Sequence, residues 1–430
     1  MNLYILHYHL QPGGVTKIIS LQVESLKLFK LFDKIKIICG FAPKELNINH
    51  AEIIQEKSFN YTTPGKEAKD YIKLKDDIYS AISRRITKED IIHVHNPNLG
   101  KNPAYTQALF SLAKNGYKIF YHCHDFAEDR KKNYNFLKQV IESIFSMNLQ
   151  EVIFPKFNNC VFGVLNSFDL ARLKSSGIKE NRIKYLPNPV AFTLATPKQK
   201  KETIKVEARE LLSINNKLPI ILYPVRVICR KNIGELILLA SIFRDRANWC
   251  VTMAPHNPVE KKFYQIWKDL NMELNYPLLL EVGKKIDLEK LMQATERVIT
   301  TSVKEGFGMS FIEPWLFNVP VIGRNIPYII KDFQNAGMVF THLYNSLPVV
   351  LNGEKKDFKD LSIDDQIRFI RLVSSNQKIK NEFIKKTDIE HILFSPILES
   401  EIINNKQIVE ESYSLENYGR RLCTIYKELS

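Results

Sequence analysis

The chain has 430 residues, of which 45% are hydrophobic and 25% are charged, so it is long enough for two cores and is not expected to be disordered over long stretches. Its formal net charge is +14, but the lysines are scattered among acidic residues. The sequence has no clustered basic face with interleaved aromatic residues, which argues against nucleic-acid binding. The positive charge instead favours anionic ligands or an anionic lipid surface.

The cysteines and the apolar segments bear on the cellular compartment. The six cysteines are widely spaced and form no C-x-x-C pair, which favours buried, reduced thiols. The first residues form a strand-like pattern without the features of a signal peptide, and no window approaches the roughly 20 apolar residues of a spanning helix. We therefore expect a cytoplasmic protein, and peripheral contact with the inner membrane face remains open.

The chain begins with a predicted strand, loop and helix. The strand covers residues 3–6, Gly13 and Gly14 lie in the loop, and apolar residues at helical spacing follow from Val15. This loop is not a G-x-G-x-x-G fingerprint, which disfavours a nicotinamide enzyme. By itself the glycine pair is equally compatible with a plain turn that needs positive φ.

Further strands are predicted at residues 35–39, 91–95 and 118–124, with helical or loop-rich stretches between them. This alternation predicts an α/β fold with a parallel sheet covered on both faces. In such sheets ligands bind at the carboxyl ends of the strands.

Two of these strand ends carry pairs of histidines. His93 and His95 share one face of their strand, as do His122 and His124, because side chains in a strand alternate with a period of two. Such pairs could ligate zinc, but a metal site needs three or four ligands, and the sequence completes no recognised metal motif. We predict no metal site, which leaves structural and ligand-binding roles open.

A domain junction is predicted after the next strand. Pro187 and Pro189 flank Asn188 and restrict the backbone on both sides of it. We place the first domain at residues 1–189 and the second at 190–410, with residues 411–430 as a terminal amphipathic helix. The lysine-rich residues 198–207 are expected to be a solvated stretch.

The second half opens with a cation-rich turn. A predicted strand at 218–225 is followed by Arg226, Arg230 and Lys231, and then by Asn232 as the expected cap of a helix. Cations between a strand and a helix can clamp a diphosphate, although a solvated charge cluster gives the same pattern.

The most informative stretch covers residues 298–323. A buried strand ends near Ile299, a tight glycine turn covers Glu305 to Gly308, and a helix is predicted to start at Ser310. This arrangement suits an anion or a hydroxyl group, because the helix start offers N–H groups and glycine lets a ligand approach the backbone. The alternative is a capping box in which Glu313 folds back onto the helix start.

The spacing of Glu305 and Glu313, the Glu-Gly-Phe-Gly turn and the following strand at Pro320–Gly323 resemble the E-x7-E signature of family 4 retaining glycosyltransferases. That resemblance implies the GT-B fold, with two Rossmann-like α/β domains whose parallel sheets face a central cleft. The first domain would bind the acceptor and the second a nucleotide-sugar donor. The terminal helix would pack back on the first domain.

The resemblance also implies an activity: transfer of a hexose from a UDP- or GDP-linked sugar to an acceptor hydroxyl, with retention of configuration and without a cofactor or an obligatory metal. The implied catalytic residues are His124, Arg226, Lys231 and Glu305. The implied donor-binding residues are Gly13, Gly14, Arg226, Lys231, Glu305, Gly306, Phe307, Gly308 and Glu313. His95 and Asp125 would bind the acceptor.

Two departures from the family pattern bear on the loop shape and the acceptor. Pro224 and Val225 stand where the family usually has a glycine before the arginine, and Pro314 and Trp315 replace small residues after the second glutamate. Together with the basic surface, Pro314 and Trp315 favour a small anionic or phosphorylated acceptor over a lipid or polysaccharide.

Two other functions remain alternatives at the level of sequence. A GT-B epimerase or phosphorylase would share the fold and differ in its products. A basic nucleic-acid binder would show steeply salt-dependent binding.

Overall fold

The computed structural model describes residues 1–191, 198–351 and 353–429. The chain divides into two compact units. Unit 1 comprises Met1–Ala191 and Tyr413–Ser430, and unit 2 comprises Phe192–Ser412.

Unit 1 is built on a parallel sheet with the strand order β3-β2-β1-β4-β5-β6-β7. Its strands are β1 (Leu3–His7), β2 (Ile35–Cys39), β3 (Glu52–Gln55), β4 (Ile91–His95), β5 (Lys118–Cys123), β6 (Cys160–Val164) and β7 (Ile183–Tyr185). The central strands are buried on both faces, as expected for a parallel sheet covered by helices. The strand order reverses between β1 and β4, and the carboxyl ends on either side of such a reversal frame a crevice.

The helices of unit 1 that precede unit 2 in the chain are α1 (Gly14–Lys27), α2 (Ala68–Ser83), α3 (Pro103–Lys114), α4 (Lys131–Gln139), α5 (Leu149–Ile153) and α6 (Ser167–Ser175). Helix α6 is capped by Asn166, whose side chain accepts a hydrogen bond from the backbone N–H of Asp169.

Unit 2 has its own parallel sheet, with the strand order β10-β9-β8-β11-β12-β13. Its strands are β8 (Ile220–Arg226), β9 (Asn248–Met253), β10 (Leu278–Leu279), β11 (Arg297–Thr300), β12 (Val321–Arg324) and β13 (Leu343–Tyr344). An antiparallel hairpin follows, formed by β14 (Pro348–Leu351) and β15 (Glu354–Asp357). Here the order reverses between β8 and β11, which is the second switch point of the molecule.

The helices of unit 2 are α7 (Lys198–Leu212), α8 (Ile233–Ile242), α9 (Pro258–Glu273), α10 (Leu288–Ala294), α11 (Pro327–Asn335), α12 (Ile363–Ser375), α13 (Gln377–Thr387), α14 (Ile389–Phe394) and α15 (Glu399–Ser412). Helix α7 packs against α10, so residues 198–207 are not merely a solvated stretch.

The last helix, α16 (Leu415–Leu429), returns to unit 1 and packs on α1. Gly419 permits this close contact, because a Cβ atom there would lie 2.5 Å from the ring of Phe29 and 2.8 Å from the carbonyl oxygen of Ser25. The buried residues Tyr418, Leu422 and Tyr426 recur at helical spacing and form the apolar face that covers α1.

The helix predicted to start at Ser310 is not an α-helix. The segment forms two short 3₁₀ turns, Met309–Phe311 and Glu313–Phe317. Pro314 accounts for the difference, because in an α-helix that started at Ser310 its missing N–H could not bond to the Ser310 carbonyl. The prediction of a helix N-terminus at this point was therefore wrong.

Strand β10 ends at Leu279, and Glu281 adopts a left-handed conformation with φ of 60°. The charged region from residue 355 to 388 begins in β15 and then forms helices α12 and α13.

A buried ion network joins β12, α8 and the hairpin in unit 2. The Arg324 guanidinium donates to the Glu235 carboxylate at 2.5 and 2.8 Å and to Asp357 at 2.8 and 2.9 Å. The Tyr344 hydroxyl also donates to Glu235, at 2.6 Å. Arg324 is 1% exposed and Glu235 is fully buried, so loss of the Arg324 charge leaves Glu235 without a cation away from water. Loss of Glu235 would leave Arg324 with Asp357 as its only carboxylate partner among the described residues.

We expect Arg324→Met to lower the free energy of unfolding by about 3 kcal/mol or more, because it strands two buried carboxylates. The matched control is Arg371→Met, which removes a pair with Glu273. Both side chains of that pair are about half exposed, so its loss should change the stability much less. Urea denaturation measures both. Equal losses in the two variants would contradict the assignment of stability to the buried network.

Candidate functional site

In unit 2, two loops meet at the carboxyl ends of β8 and β11, beside the switch point of the sheet. The first loop runs from Arg226 through a 3₁₀ turn at Cys229–Lys231, and the second follows Thr300. Backbone contacts join them: the Val303 N–H donates to the Arg230 carbonyl at 3.0 Å, and the Thr301 hydroxyl donates to the Lys231 carbonyl at 3.0 Å. These hydrogen bonds hold the two loops together.

Glu305 lies at the centre of the joined loops. Its Oε1 accepts hydrogen bonds from the Lys231 ammonium and from the Ser302 hydroxyl, the latter at 2.5 Å. Its Oε2 accepts from the Arg230 guanidinium at 2.5 Å. The Tyr328 hydroxyl fixes the backbone of Glu305 by accepting from its N–H at 3.0 Å and donating to its carbonyl at 2.7 Å.

The charge state of Glu305 follows from this environment. Glu305 is 7% exposed, and burial alone would raise the pKa of its carboxyl group. The nearby positive charges of Lys231 and Arg230, with the hydrogen bonds from Lys231 and Ser302, outweigh burial and hold that pKa below its usual value. Glu305 therefore stays ionised at neutral pH and is unsuited to donate a proton.

Arg226 differs from the other two cations of the turn. It is partly buried at the end of β8, and its Nε atom is buried without a hydrogen-bond partner in the described part of the chain. A buried guanidinium N–H without a partner is costly, so such a group is suited to bind a ligand. The Glu260 carboxylate also joins this turn by accepting from the Cys229 N–H at 2.8 Å. Three cations thus face the two carboxylates of Glu260 and Glu305, so the surplus charge is still positive and favours an anion.

Asn232, the expected cap of α8, has φ of 48°, and its side chain makes no capping hydrogen bond. Its amide donates to the Glu235 carboxylate at 2.9 Å instead. The prediction of an Asn232 cap was therefore wrong, although the helix does begin at the next residue.

The turn after Glu305 has the tight geometry that the sequence predicts. Gly308 has φ of 88°, a conformation that side chains rarely adopt, and a Cβ atom there would lie 2.8 Å from Ile329. Phe307 is buried, and its ring packs edge-on against Phe333 at 5.6 Å between centroids. Phe307 therefore holds the turn in place, and Gly306 lies immediately before it.

Glu313 is partly buried and begins the second 3₁₀ turn. The expected capping box is not formed, because the Ser310 hydroxyl is buried and has no partner among the described residues. The role of Glu313 toward the donor stays a prediction.

In unit 1, the residues singled out from the sequence lie around the carboxyl ends of β1, β4 and β5. Gly13 and Gly14 are exposed at the start of α1, with no side-chain cap on the helix. Gly13 is extended, with φ of 176°, and neither glycine is in the left-handed region that favours glycine. A Cβ atom would meet nothing closer than 3.8 Å at either position. A plain turn that needs positive φ is therefore excluded, and the packing of the protein itself does not require glycine here.

The histidines of β4 and β5 form a buried cluster. His93, His95 and His122 have no exposed surface, and the rings of His93 and His95 stack at 4.4 Å between centroids. His95 Nδ1 is 2.8 Å from His124 Nε2, and His93 Nε2 is 3.1 Å from His122 Nδ1. Because His95 is enclosed with both ring nitrogens engaged, it cannot touch an acceptor directly, contrary to the role implied by the sequence resemblance.

Ligand nitrogens of His93, His95 and His122 lie within 4.8 Å of one another, which is near enough to consider a shared metal ion. Apart from His122 Nε2, however, every nitrogen of the three rings already makes a hydrogen bond to a neighbouring ring, to Gln22 or to Tyr426. A metal would have to replace those bonds. The donor set therefore fits a hydrogen-bond network better than a metal centre.

Burial holds the pKa of each ring in the cluster well below the usual histidine value, and it lowers that of His122 to about 3. Neighbouring histidines lower the pKa of His93, His95 and His124 further, because a second positive charge would be repelled. The cluster is therefore neutral at physiological pH.

Beside the histidines lies a group of polar and cationic side chains. The Tyr61 hydroxyl is 3.2 Å from His9 Nε2, and the Lys101 ammonium lies 5.6 Å from the centre of the Tyr61 ring. Burial and the nearby Arg130 lower the pKa of Lys101, which has no carboxylate partner in the described part of the chain. Arg130 donates to Asp125 at 2.9 Å, and the side chain of this predicted acceptor residue is about half exposed.

Comparison with known proteins now bears on the sites of both units. Residues 205–342, which contain the Arg226 to Glu313 cluster, match the family model described as "Glycosyl transferases group 1". Over these residues the chain is similar to the group 1 glycosyltransferases. A mannosylglucosyl-3-phosphoglycerate synthase of Petrotoga mobilis is 27% identical over 418 residues, which cover 92% of this chain and 79% of that protein. A mannosylglucosylglycerate synthase of the same organism is 24% identical, covering 80% of each chain.

Solved structures confirm the predicted fold class. Sucrose-phosphate synthase from Thermosynechococcus elongatus superposes with a TM-score of 0.64 at 13% identity, covering 100% of this chain and 98% of that one. Anabaena Alr3699/HepE in complex with UDP superposes with a TM-score of 0.61 at 13% identity, covering 99% and 100%. The chain thus has the GT-B fold. No described helix is long and apolar enough to cross a membrane.

Several residues of these clusters were not identified from the sequence. Ser302 and Tyr328 give no local signal, because their contacts depend on how two loops and α11 meet. Gln22, by contrast, could have been noticed in the sequence, because it lies on the buried face of α1, four residues after Ile18 and four before Leu26. A polar residue on an apolar helix face needs a buried partner.

The lowered pKa of Glu305 predicts a pH-dependent contribution to stability. Because the folded pKa lies below the unfolded value of about 4.5, the stabilisation is fully present above that pH and is lost as pH falls through the folded pKa. Glu305→Gln should therefore be less stable than the wild type at pH 7, by about 2 kcal/mol. The gap should narrow below pH 4. Urea denaturation between pH 3 and 7 measures this, and a gap that is constant with pH would contradict it.

Proposed function

We propose that this protein transfers a hexose from a UDP- or GDP-linked sugar to a hydroxyl of a small anionic acceptor, with retention of configuration and without an obligatory metal. The observation that carries the proposal is the cluster of Arg226, Arg230, Lys231 and Glu305 within the residues that are similar to the group 1 glycosyltransferases. It combines surplus positive charge with a rigid backbone at the switch point of the sheet.

The chemistry requires a group that stabilises the departing diphosphate as its charge develops. Arg226 is suited to this role because its guanidinium has an N–H without a partner in the described structure. Lys231 adds a second cation, and Glu305 fixes its position through a buried ion pair. The Gly306–Gly308 turn would face the hydroxyls of the donor sugar, and Glu313 would bind the ribose.

Glu305 holds these cations in place and does not act as a nucleophile or a general acid. Both of its oxygens accept hydrogen bonds from Lys231, Arg230 or Ser302, and its lowered pKa keeps it ionised. A carboxylate so engaged is a poor nucleophile, which supports a mechanism without a covalent enzyme intermediate.

An anionic acceptor is supported by Lys101, which is partly buried and has no carboxylate partner in the described residues, and by Arg130 beside it. One relative is named for a phosphorylated product and another for the unphosphorylated one. We propose that the acceptor is glucosyl-3-phosphoglycerate or a closely similar phosphorylated sugar acid, that its anionic group binds near Lys101, and that Asp125 contacts its hydroxyls. Peripheral contact with an anionic membrane surface is compatible with this assignment.

We expect Arg226→Ala, Lys231→Ala and Glu305→Ala each to lower kcat/KM by about 100-fold or more, because each disturbs charge stabilisation of the leaving group. The assay is release of UDP or GDP from a panel of nucleotide sugars in the presence of the acceptor. The exposed Lys262→Ala on α9 is the matched control, and circular dichroism checks the fold. Near-normal transfer by all three variants would refute the assignment.

Lys101→Met should raise KM for glucosyl-3-phosphoglycerate about tenfold, since one charge-assisted contact to the anionic group is lost. It should change KM for glucosylglycerate by less than about twofold. The exposed Lys114→Met serves as the control. Equal effects on both acceptors would show that Lys101 does not recognise the phosphate.

A further inference from the structure

Gln22, on α1, lies at the centre of the buried histidine cluster of unit 1. It has no exposed surface, its Oε1 is 2.9 Å from His95 Nε2, and its Nε2 is 2.8 Å from His93 Nδ1 and 2.9 Å from the Tyr426 hydroxyl. A side-chain amide has an acceptor end and a donor end. Its orientation therefore decides which nitrogen of each neighbouring ring carries the proton.

One arm of the network runs from Gln22 to His124. The amide oxygen can only accept, so His95 Nε2 must carry a proton. Because His95 is neutral, its Nδ1 is then bare and accepts from His124 Nε2, 2.8 Å away. His124 is also neutral, so its own Nδ1 is bare.

The other arm runs from Gln22 to His122. His93 Nδ1 accepts from the Gln22 amide and from the Tyr426 hydroxyl at 2.6 Å, so the proton of His93 is on Nε2. That proton is donated to His122 Nδ1. The proton of His122 is then on Nε2, which is buried without a partner among the described residues. With the opposite orientation of Gln22, all four rings would change tautomer, and one buried amide N–H would lose its partner. The orientation in the structure is the one in which both amide N–H groups have partners, His93 Nδ1 and the Tyr426 hydroxyl.

His124 is the ring at which this network reaches solvent. It is 7% exposed, whereas the other three rings are fully buried. Among the described residues, its Nε2 is engaged by His95 and its Nδ1 has no partner. A bare imidazole nitrogen accepts a hydrogen bond from a hydroxyl group and repels the oxygen atoms of a phosphate or carboxylate.

We propose that Gln22 is a positioning residue that fixes the tautomer of His124, so that this histidine presents a hydrogen-bond acceptor and selects a ligand hydroxyl over an anionic oxygen. Tyr426 of α16 anchors the donor end of the same amide. The identity of the hydroxyl as part of a sugar substrate rests on the proposed function, whereas the tautomer itself does not.

The tautomer can be measured directly, without turnover. In protein labelled with ¹⁵N-histidine, two-bond ¹H–¹⁵N correlation spectra distinguish protonated Nδ1 from protonated Nε2, and the signal of His124 is assigned by its loss in His124→Gln. The wild type at pH 7.5 should show His124 with a proton on Nε2. A proton on Nδ1 would overturn the proposal.

Two substitutions test whether Gln22 controls this state. Gln22→Met has a similar volume and no hydrogen-bonding groups, so His124 should become a mixture of tautomers. Gln22→Glu keeps an acceptor toward His95, so His124 should retain the wild-type tautomer, while His93 and His122 reverse. If Gln22→Met folds and its His124 signal is unchanged, the proposal is overturned. If Gln22→Met does not fold, a change of the His124 tautomer in Gln22→Glu would overturn the proposal.

Kinetics separate this role from a merely structural one. Gln22→Met should lower kcat/KM roughly tenfold, the value of one misdirected hydrogen bond, and Gln22→Glu should restore most of it. Tyr426→Phe should reduce stability without changing the His124 tautomer, because Gln22 keeps its other contacts. If the protein transferred no hexose with any nucleotide sugar, the proposed function would fail, and the spectra of His124 would still decide the tautomer.

Discussion

A carboxylate that is removed from water must be matched by positive charge, and in unit 2 this requirement is met at Glu305. Its partners, Lys231 and Arg230, come from a different strand-end loop, and its backbone is bound by a tyrosine of α11. Since three segments must be in place at once for the carboxylate to be satisfied, the ion pair specifies their relative positions. The glycine turn that follows Glu305 starts from that arrangement.

The two sheets share a reversal of strand order, but the side chains beside it are charged in unit 2 and neutral in unit 1. Each reverses its strand order once, and each places its polar residues at the carboxyl ends beside the reversal. In unit 2 the groups are charged and carry a positive surplus, which suits a phosphate-bearing ligand. In unit 1 the buried rings are neutral, and their directional hydrogen bonds distinguish donors from acceptors. The cations Lys101 and Arg130 lie beside this cluster.

The alternation of strands and helices was sufficient to predict the parallel α/β fold, because that pattern reports burial on both faces of a sheet. The cation turn and the Glu305 turn were also predictable, since both depend on local residue types. What could not be predicted was pairing over long separations: Gln22 and Tyr426 are 404 positions apart, and nothing local indicates that they meet. The segment around Pro314 shows a different error. The periodicity of the neighbouring residues predicts an α-helix there, but the missing N–H of Pro314 prevents one.

Helix α16 has a consequence for the order of folding. Its tyrosine completes the hydrogen bonds of Gln22 and His93, and its apolar face covers α1, yet it follows the whole of unit 2 in the chain. During synthesis the amino-terminal sheet therefore emerges from the ribosome long before the segment that closes one of its faces. Until then Gln22 lacks one of its partners and the apolar face of α1 is exposed to solvent. Unit 1 can reach its native state only after α16 has been synthesised, whereas unit 2 has its complete sequence earlier.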